Sequence, residues 1–386
     1  FWIQTFSSVL LSVFLYIFSD NITILYLGDD KYSFLLKLYS FLLPTNSIYF
    51  FCQNILKWTF KRNHYLVITL GKIFVQLILI IFYIQMQLKS IEYVLYVHLF
   101  SSSVFALLGL FFIKDHIKTI IKFKYIKEML KYGLPYMLAS FMITLVGTID
   151  KSLISKFLGL SSLAIYVSAI KIVSIVEVLN LGFQTAWGPF ALSNYKRKNS
   201  NNQYNTILNL FTLFLGILII FIIFFSRPFL ELLLTKNYSD AYSIILPVIF
   251  IFYFRSISQI TTLGIDLSKK TYWHIIINGF VLLVSYVLMN LFMDFGLTGI
   301  VYALVVTYFL KFVIETLLSN FLYNKIYFKI WIPLTITLVV YLISFILKNY
   351  VVKNMLNIEI FYCIPILLIP LILIYLMKDK ILNYIN

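Results

Sequence analysis

Long apolar runs, each closed by a short polar stretch, fill the chain from its first residue to its last. Runs over 1–18, 34–56, 64–88, 92–113, 133–157 and 161–193 are followed by runs over 205–226, 241–265, 271–293, 297–318, 330–347 and 359–377. Each approaches or exceeds the roughly 20 residues an α-helix needs to cross a bilayer. In hydrocarbon, a segment satisfies its own backbone only as a helix. The pattern therefore predicts an all-α, polytopic membrane protein with about twelve transmembrane helices. The run 161–193 exceeds one simple crossing, which predicts either a break within it or an extension beyond the bilayer.

Two stretches resemble one another at a fixed offset. Lys61-Arg62-Asn63-His64-Tyr65, followed by an apolar run with Gly71, matches Lys269-Lys270-Thr271-Tyr272-Trp273, followed by an apolar run with Gly279. The offset moves the third span onto the ninth, and a shift of six spans preserves orientation, as expected of two parallel halves. The expected organisation is two six-helix lobes plus a C-terminal helix pair. Residues 1–113 form the first lobe, 114–131 a linker, 132–320 the second lobe and 321–386 the pair. The chain opens at Phe1 inside an apolar run. On this scheme the first lobe lacks two of its spans, out of about fourteen in all. In the linker, Ile117, Ile120 and Ile121 recur at helical spacing, with Lys114, Lys118 and Lys122 on another side. This predicts either an amphipathic helix lying on the cytoplasmic surface or an ordinary positively charged loop with helical content, in both cases the connector between the lobes.

Composition agrees with this architecture and narrows the function. Hydrophobic residues make up 61% of the chain and charged residues 12%, with a mean hydropathy of +0.94. Nothing is left for a separate soluble catalytic or nucleic-acid-binding domain. The net charge of +16 reads as topology. Of the Lys and Arg residues outside the spans, eighteen fall on one side of alternate connections and eight on the other. Positive residues are retained inside, so both ends of this chain are expected in the cytoplasm. Cys52 is expected near the inner face and Cys363 near the outer one, too far apart to bridge.

Five cations remain within the spans: Lys37, Lys72, Lys171, Arg255 and Lys311. An ionisable group there costs roughly 2.5 to 3.5 kcal/mol on insertion scales and is a functional candidate by default. Lys37 lies near a span end, where its stem can snorkel. Lys311 and Glu315 stand four apart, so a mutual pair competes with a role toward substrate. Lys72, Lys171 and Arg255 lie deeper, where a water-filled cavity explains them. Ser168, Lys171, Ser174, Glu177, Asn180 and Gln184 form a polar ribbon along one helix, and Arg255, Ser256, Ser258, Gln259, Thr261 and Thr262 form a second. Cations in such a cavity suit an anionic group, phosphate above all. His98 reads as a tolerated polar residue, and His64, His116 and His274 fall at the inner interface. No metal-binding or nucleotide-binding motif occurs, so neither metal nor cofactor is expected.

One segment carries a family resemblance. Tyr132-Gly133-Leu134-Pro135, Ile149-Asp150-Lys151-Ser152-Leu153-Ile154, Leu158-Gly159-Leu160 and Ala164-Ile165-Tyr166 are followed by Ala169-Ile170-Lys171-Ile172 and Phe183-Gln184-Thr185-Ala186-Trp187-Gly188-Pro189-Phe190. In order and spacing this run resembles the O-antigen and polysaccharide flippases of the multidrug, oligosaccharidyl-lipid and polysaccharide exporter superfamily. The resemblance implies two lobes around a cationic cavity that opens alternately to each face. It implies a bacterial inner-membrane protein whose cargo is an oligosaccharide on undecaprenyl pyrophosphate, moved from the inner to the outer leaflet. It also implies loose association with a polysaccharide polymerase and glycosyltransferases. Asp150, Lys151, Lys171, Gln184 and Trp187 match motif positions. Lys151 stands where the family has Arg, which keeps the charge and loses the bidentate fork.

The expected function is thus a lipid-linked oligosaccharide flippase, a transporter and not an enzyme. Lys72, Lys171, Arg255 and Lys311 are the expected substrate-binding cations. Asp150 and Glu177 either hold them in place or carry a coupling ion, and Gln184 and Gln259 line the cavity. A drug exporter of the same superfamily would favour an acidic cavity. A major-facilitator carrier would show its loop signature, and a membrane polymerase or glycosyltransferase would need a larger extramembrane loop.

Overall fold

The structure is a computed structural model that describes residues 1–27, 30–87, 90–117, 123–233 and 241–348. Among these residues every regular element is helical. The chain divides into two compact units, Phe1–Phe123 and Lys124–Asn386.

The first unit comprises α1 (Trp2–Ile17), α2 (Ser19–Leu27), α3 (Ser33–Trp58), α4 (Arg62–Gln85) and α5 (Ile91–Ile113). α3 is its centre and packs against α1, α2, α4 and α5. The core joins Tyr49, Cys52 and Leu56 of α3 to Ile68 of α4 and to Phe105, Ala106 and Ile113 of α5. Gly109 lets α5 approach α3, because a Cβ there would meet Cys52 Cβ at 2.7 Å and Sγ at 3.0 Å. The Ser90 hydroxyl accepts from the Glu92 amide and caps α5.

The second unit contains α6 (Phe123–Leu153), a π-helical turn (Ile154–Leu158), α7 (Gly159–Asn194), α8 (Ser200–Leu233) and α9 (Ala241–Thr261). It continues with α10 (Leu263–Leu267), α11 (Tyr272–Leu291), α12 (Gly296–Leu322) and α13 (Trp331–Ile346). α9 is the central helix, almost wholly buried between α7, α8 and α12, which explains why the stretch 244–254 is apolar all round, before the polar ribbon that begins at Arg255. Gly159, at φ +86°, makes the turn from α6 into α7. The connection into α13 is pinned by amides. Asn205 binds both the Tyr327 carbonyl and the Lys329 amide at 2.8 Å, and Asn320 binds both backbone groups of Phe328.

Each unit repeats one pattern of neighbours. α1, α3, α5 and α4 pack in that order, as do α7, α9, α12 and α11. The turns into α4 and α11 contain left-handed residues, Phe60 at φ +55° and Lys269 at φ +60°. These turns hold the two stretches whose sequences match.

Each expected span from 1–18 to 330–347 falls on helical structure, and most boundaries are displaced by a few residues, but α6 starts ten residues before 133, α8 ends seven residues after 226, and 241–265 covers α9 and part of α10. Seven helical stretches among the described residues are long and apolar enough to cross a membrane, and one of them, Ile126–Asn194, contains two of the expected spans. α3 falls short on composition because Ser40, Thr45, Asn46, Ser47, Gln53 and Asn54 interrupt it. The 161–193 segment has no break. It lies in one 36-residue helix about 54 Å long, and so extends beyond a hydrocarbon core of about 30 Å. α6 begins at Phe123 and runs without interruption through residue 131, so much of the expected linker helix is the start of α6. Residues 118–122 of that linker, the span 359–377 and Cys363 lie outside the described residues.

Candidate functional site

In the first unit the candidate cation sits in a polar seam between α3, α4 and α5. Lys72 Nζ donates to Asn46 Oδ1 at 3.2 Å and lies 4.0 Å from the Tyr49 ring centroid and 5.9 Å from that of Phe50. The Ser102 hydroxyl donates to the same Asn46 oxygen at 2.9 Å. One turn along α4, Gln76 bridges His98 Nδ1 at 3.0 Å and Ser101 Oγ at 2.9 Å. His98 is thus a satisfied polar residue. Among the described residues Lys72 has no carboxylate within ion-pair reach, so amide and aromatic dipoles hold its charge.

Lys37, the first unit's other membrane cation, pairs with Asp20 of α2 at 3.0 Å. The hydrogen bond from Lys37, followed by one from Ser33, holds the Asp20 carboxyl below the usual carboxylate range. A short tether between α2 and α3 replaces the snorkelling expected of Lys37.

In the second unit the polar ribbon of α7 meets α9. Lys171 is exposed and makes no ion pair among the described residues. Glu177 Oε1 lies 3.8 Å from an Arg255 guanidinium nitrogen, with both side chains about one-third exposed (29% and 32%). The guanidinium also lies over the rings of Phe252 at 5.5 Å and Tyr308 at 5.9 Å. One turn beyond stand Asn180, fully buried with neither amide atom partnered, and Ser258 and Gln259, whose oxygens likewise lack partners. Gln184 is half-buried further along the same ribbon. This seam has unused hydrogen-bonding capacity, which suits a polar guest or water.

Asp150 is nearly buried at the end of α6. Its Oδ2 accepts from the Tyr166 hydroxyl of α7 at 2.8 Å and its Oδ1 from the Lys151 amide. It therefore fastens the α6–α7 hairpin across the π-helical turn. Lys311 is placed differently from the expectation of a substrate cation. Its ammonium is bound by Glu315 Oε1 at 2.6 Å and by Asn278 Oδ1 at 2.7 Å, and Glu315 is 2% exposed. That pair links α12 to α11.

The structure thus sorts the four expected cations. Among the described residues Lys72 and Lys171 keep charge unmatched by an acid, Arg255 faces one loosely, and Lys311 is held in a buried pair. Sequence reasoning missed the roles of Asn46 and Asn278, which follow only from helix packing. It also missed a cluster of Tyr136, Asp266 and His274, although His274 and Asp266 lie only eight residues apart. Among the described residues no group of three His, Cys, Asp or Glu side chains is placed to hold a metal ion.

Residues 1–189 match the family model described as polysaccharide biosynthesis protein. Those residues are just under half of the chain, which over this segment is similar to that family. The matched segment ends within α7, so it includes Lys72, Asp150, Lys171, Glu177 and Gln184 and stops short of Arg255 and Lys311. A mutant of the Vibrio cholerae MATE transporter VcmN is similar in structure, with a TM-score of 0.70 at 15% identity over 82% of this chain and 76% of that one. An outward-facing multidrug resistance MATE family transporter of the MOP superfamily gives a TM-score of 0.67 at 16% identity, over 82% of this chain and 78% of that one. A MATE protein in complex with MaD5 gives 0.70 at 15% identity over 83% and 76%. The protein therefore has the MATE fold. No curated protein matches it in sequence.

Proposed function

We infer that the protein is a transporter that moves a lipid-linked oligosaccharide from the inner to the outer leaflet of a bacterial inner membrane by alternating access. The observation that carries this reading is the combination of a polysaccharide biosynthesis family match with a transporter fold. A biosynthetic step performed by a transport fold is the transfer of a saccharide precursor across the membrane. Undecaprenyl pyrophosphate supplies two phosphates to recognise, and cations without carboxylate partners suit them. We assign phosphate-contacting roles to Lys72 within the first unit and, separately, to Lys171 within the second. Arg255 supplements them as a charge rather than as a fork, and Lys311 serves structure. Asp150 and Glu177 hold neighbouring groups in place or carry a coupling ion. Gln184, Asn180, Ser258 and Gln259 provide hydrogen bonds to polar cargo. No covalent step is involved.

The cationic excess favours this reading over export of cationic drugs, whose binding would call for unpaired acids. The test is restoration of surface polysaccharide in a bacterium lacking its own flippase. The full-length protein should restore it and the Lys72→Gln variant should not; failure of the wild type at normal membrane abundance would overturn the assignment.

A further inference from the structure

Among the described residues each unit holds a lysine bonded to an asparagine on a neighbouring helix, and the two contacts are completed differently. In the second unit every group is used. Asn278 Oδ1 accepts from Lys311, Asn278 Nδ2 donates to the Ala139 carbonyl of α6 at 3.3 Å, and Glu315 neutralises the ammonium. In the first unit the contact is left open. Asn46 Oδ1 accepts from Lys72 Nζ at 3.2 Å and from the Ser102 hydroxyl at 2.9 Å. Asn46 Nδ2 has no hydrogen-bond partner among the described residues, and no carboxylate among them reaches Lys72.

The orientation of the Asn46 amide follows from its partners. An ammonium only donates, so the atom that faces Lys72 is the oxygen and not the nitrogen. Ser102, 1% exposed, gives its hydrogen to the same oxygen and holds the amide in that sense. Both lone pairs of Oδ1 are thereby engaged, and the N–H donors on Nδ2 are left over. One N–H of the ammonium bonds Asn46, and the Tyr49 ring covers another side of it. Asn46 and Lys72 are both partly exposed, so a ligand can reach the remaining donors. The neighbouring levels of the seam answer themselves: Gln53 donates to Thr69 at 3.0 Å, and Gln76 meets His98 and Ser101. What remains beside Asn46 and Lys72 donates, and it carries positive charge. Its complement is a negative group with several acceptor oxygens, which describes phosphate. A metal cation or an amine would meet an ammonium there and no carboxylate.

We propose that Asn46 is a second phosphate-binding residue beside Lys72, its amide N–H groups donating to the anion, and that Ser102 is the positioning residue that holds the amide in the donating orientation. This deepens the assignment of a pyrophosphate-linked cargo and rests on it. Nδ2 and Oδ1 share one carbon, so the amide donors stand next to the ammonium that Oδ1 holds, and one phosphate group meets both. The two residues divide the work. Lys72 supplies a compact point charge on a flexible stem, which attracts an anion without fixing its orientation. Asn46 supplies directed N–H groups on a planar amide, which fix where the phosphate oxygens sit. The closed contact in the second unit offers neither, since Glu315 takes the charge of Lys311 and Ala139 takes the Asn278 donor.

The test measures binding of geranyl pyrophosphate to the full-length protein in phosphatidylcholine nanodiscs by isothermal titration calorimetry, with empty nanodiscs as the blank. Asn46→Ser removes the amide donors without adding charge, and should weaken binding by about tenfold or more. Asn46→Asp keeps an oxygen toward Lys72 and Ser102 and replaces the donors by an acceptor, and should weaken it further. Ser102→Ala frees the amide to turn over, and should weaken binding by about threefold even if Asn46→Ser is poorly folded. Asn46→Ser or Ser102→Ala at wild-type affinity overturns the proposal while the function stands. Weakening in Asn46→Asp alone also overturns it, because an added negative charge does that without any contact. A wild type that binds no geranyl pyrophosphate, or binds it equally well as Lys72→Gln, removes the proposal together with the cargo assignment. Competition from phosphatidylglycerol in the nanodisc would give the site to lipid headgroups and likewise overturn it.

Discussion

Arg255 and Glu177 meet through one nitrogen and one oxygen, 3.8 Å apart, where α9 packs on α7. A bidentate guanidinium–carboxylate pair would instead bring two nitrogens against two oxygens at less than about 3 Å. Glu177 therefore leaves the planar fork of Arg255 unengaged, and on the proposed function Arg255 acts through its charge. Arg255→Lys should keep transport within about threefold of wild type, Arg255→Ala should lose about tenfold, and Arg255→Glu should be inactive. Export measured for the three variants checks the order. Lys failing as badly as Ala would mean that the fork is used.

The Lys311–Glu315 pair predicts a stability effect rather than a transport effect. Removing one partner of a buried pair typically costs about 3 to 5 kcal/mol, because the other charge is left uncompensated. Lys311→Met should lower the thermal midpoint and the membrane abundance sharply, and adding Glu315→Leu should recover most of the loss. Thermal unfolding in detergent, followed by size-exclusion chromatography, measures both.

Lys72 should behave in the opposite way. Its partners are Asn46 and the Tyr49 ring, so Lys72→Gln leaves no orphaned carboxylate among the described residues. Abundance should stay near wild type while export falls by about tenfold or more. A parallel fall in abundance and export would make Lys72 structural.

Backbone proximity sets a further limit in the second unit. A Cβ on Gly264 would collide with the Ser319 backbone, where the Ser319 hydroxyl accepts from the Gly264 amide at 2.9 Å. Backbone cannot rotate away as a side-chain end can. Gly264→Ala should destabilise by about 1 to 3 kcal/mol, read as a lower thermal midpoint, whereas Gly133→Ala should not clash with any neighbour.

The charge asymmetry predicts sidedness. Cysteines at Lys198 and Lys269 should resist impermeant thiol reagents in intact cells, and one at Lys151 should react. All three positions are exposed. The reverse pattern would invert the topology.

Helices and their boundaries were legible because bilayer thickness turns each crossing into a countable apolar run, as with 64–88 against Arg62–Gln85. Short helices off that count were not, and Ser19–Leu27 and Leu263–Leu267 escaped notice. The candidate cations were legible one by one, since a charge in a span is conspicuous. Their partners were legible in part. Lys311 and Glu315, one turn apart, could be paired by spacing, and Glu177 was among the acids expected to hold a cation such as Arg255, but Lys72 with Asn46 and Lys37 with Asp20 are set by which helices pack together. The long ribbon of α7 was legible as polar spacing. That Asn180 is buried and unpartnered while Lys171 is exposed follows from how the ribbon winds past α9.

The most direct measurement is translocation itself. The purified full-length protein is reconstituted in vesicles with an oligosaccharide linked to a polyprenyl pyrophosphate, and exposure of the sugar on each leaflet is followed with an impermeant glycosidase. Wild-type protein should make inner-leaflet sugar accessible outside, and Lys72→Gln and Lys171→Gln should slow this by about tenfold or more. Leaflet exchange no faster than in protein-free vesicles, in a preparation that transports a cationic drug, would contradict the assignment.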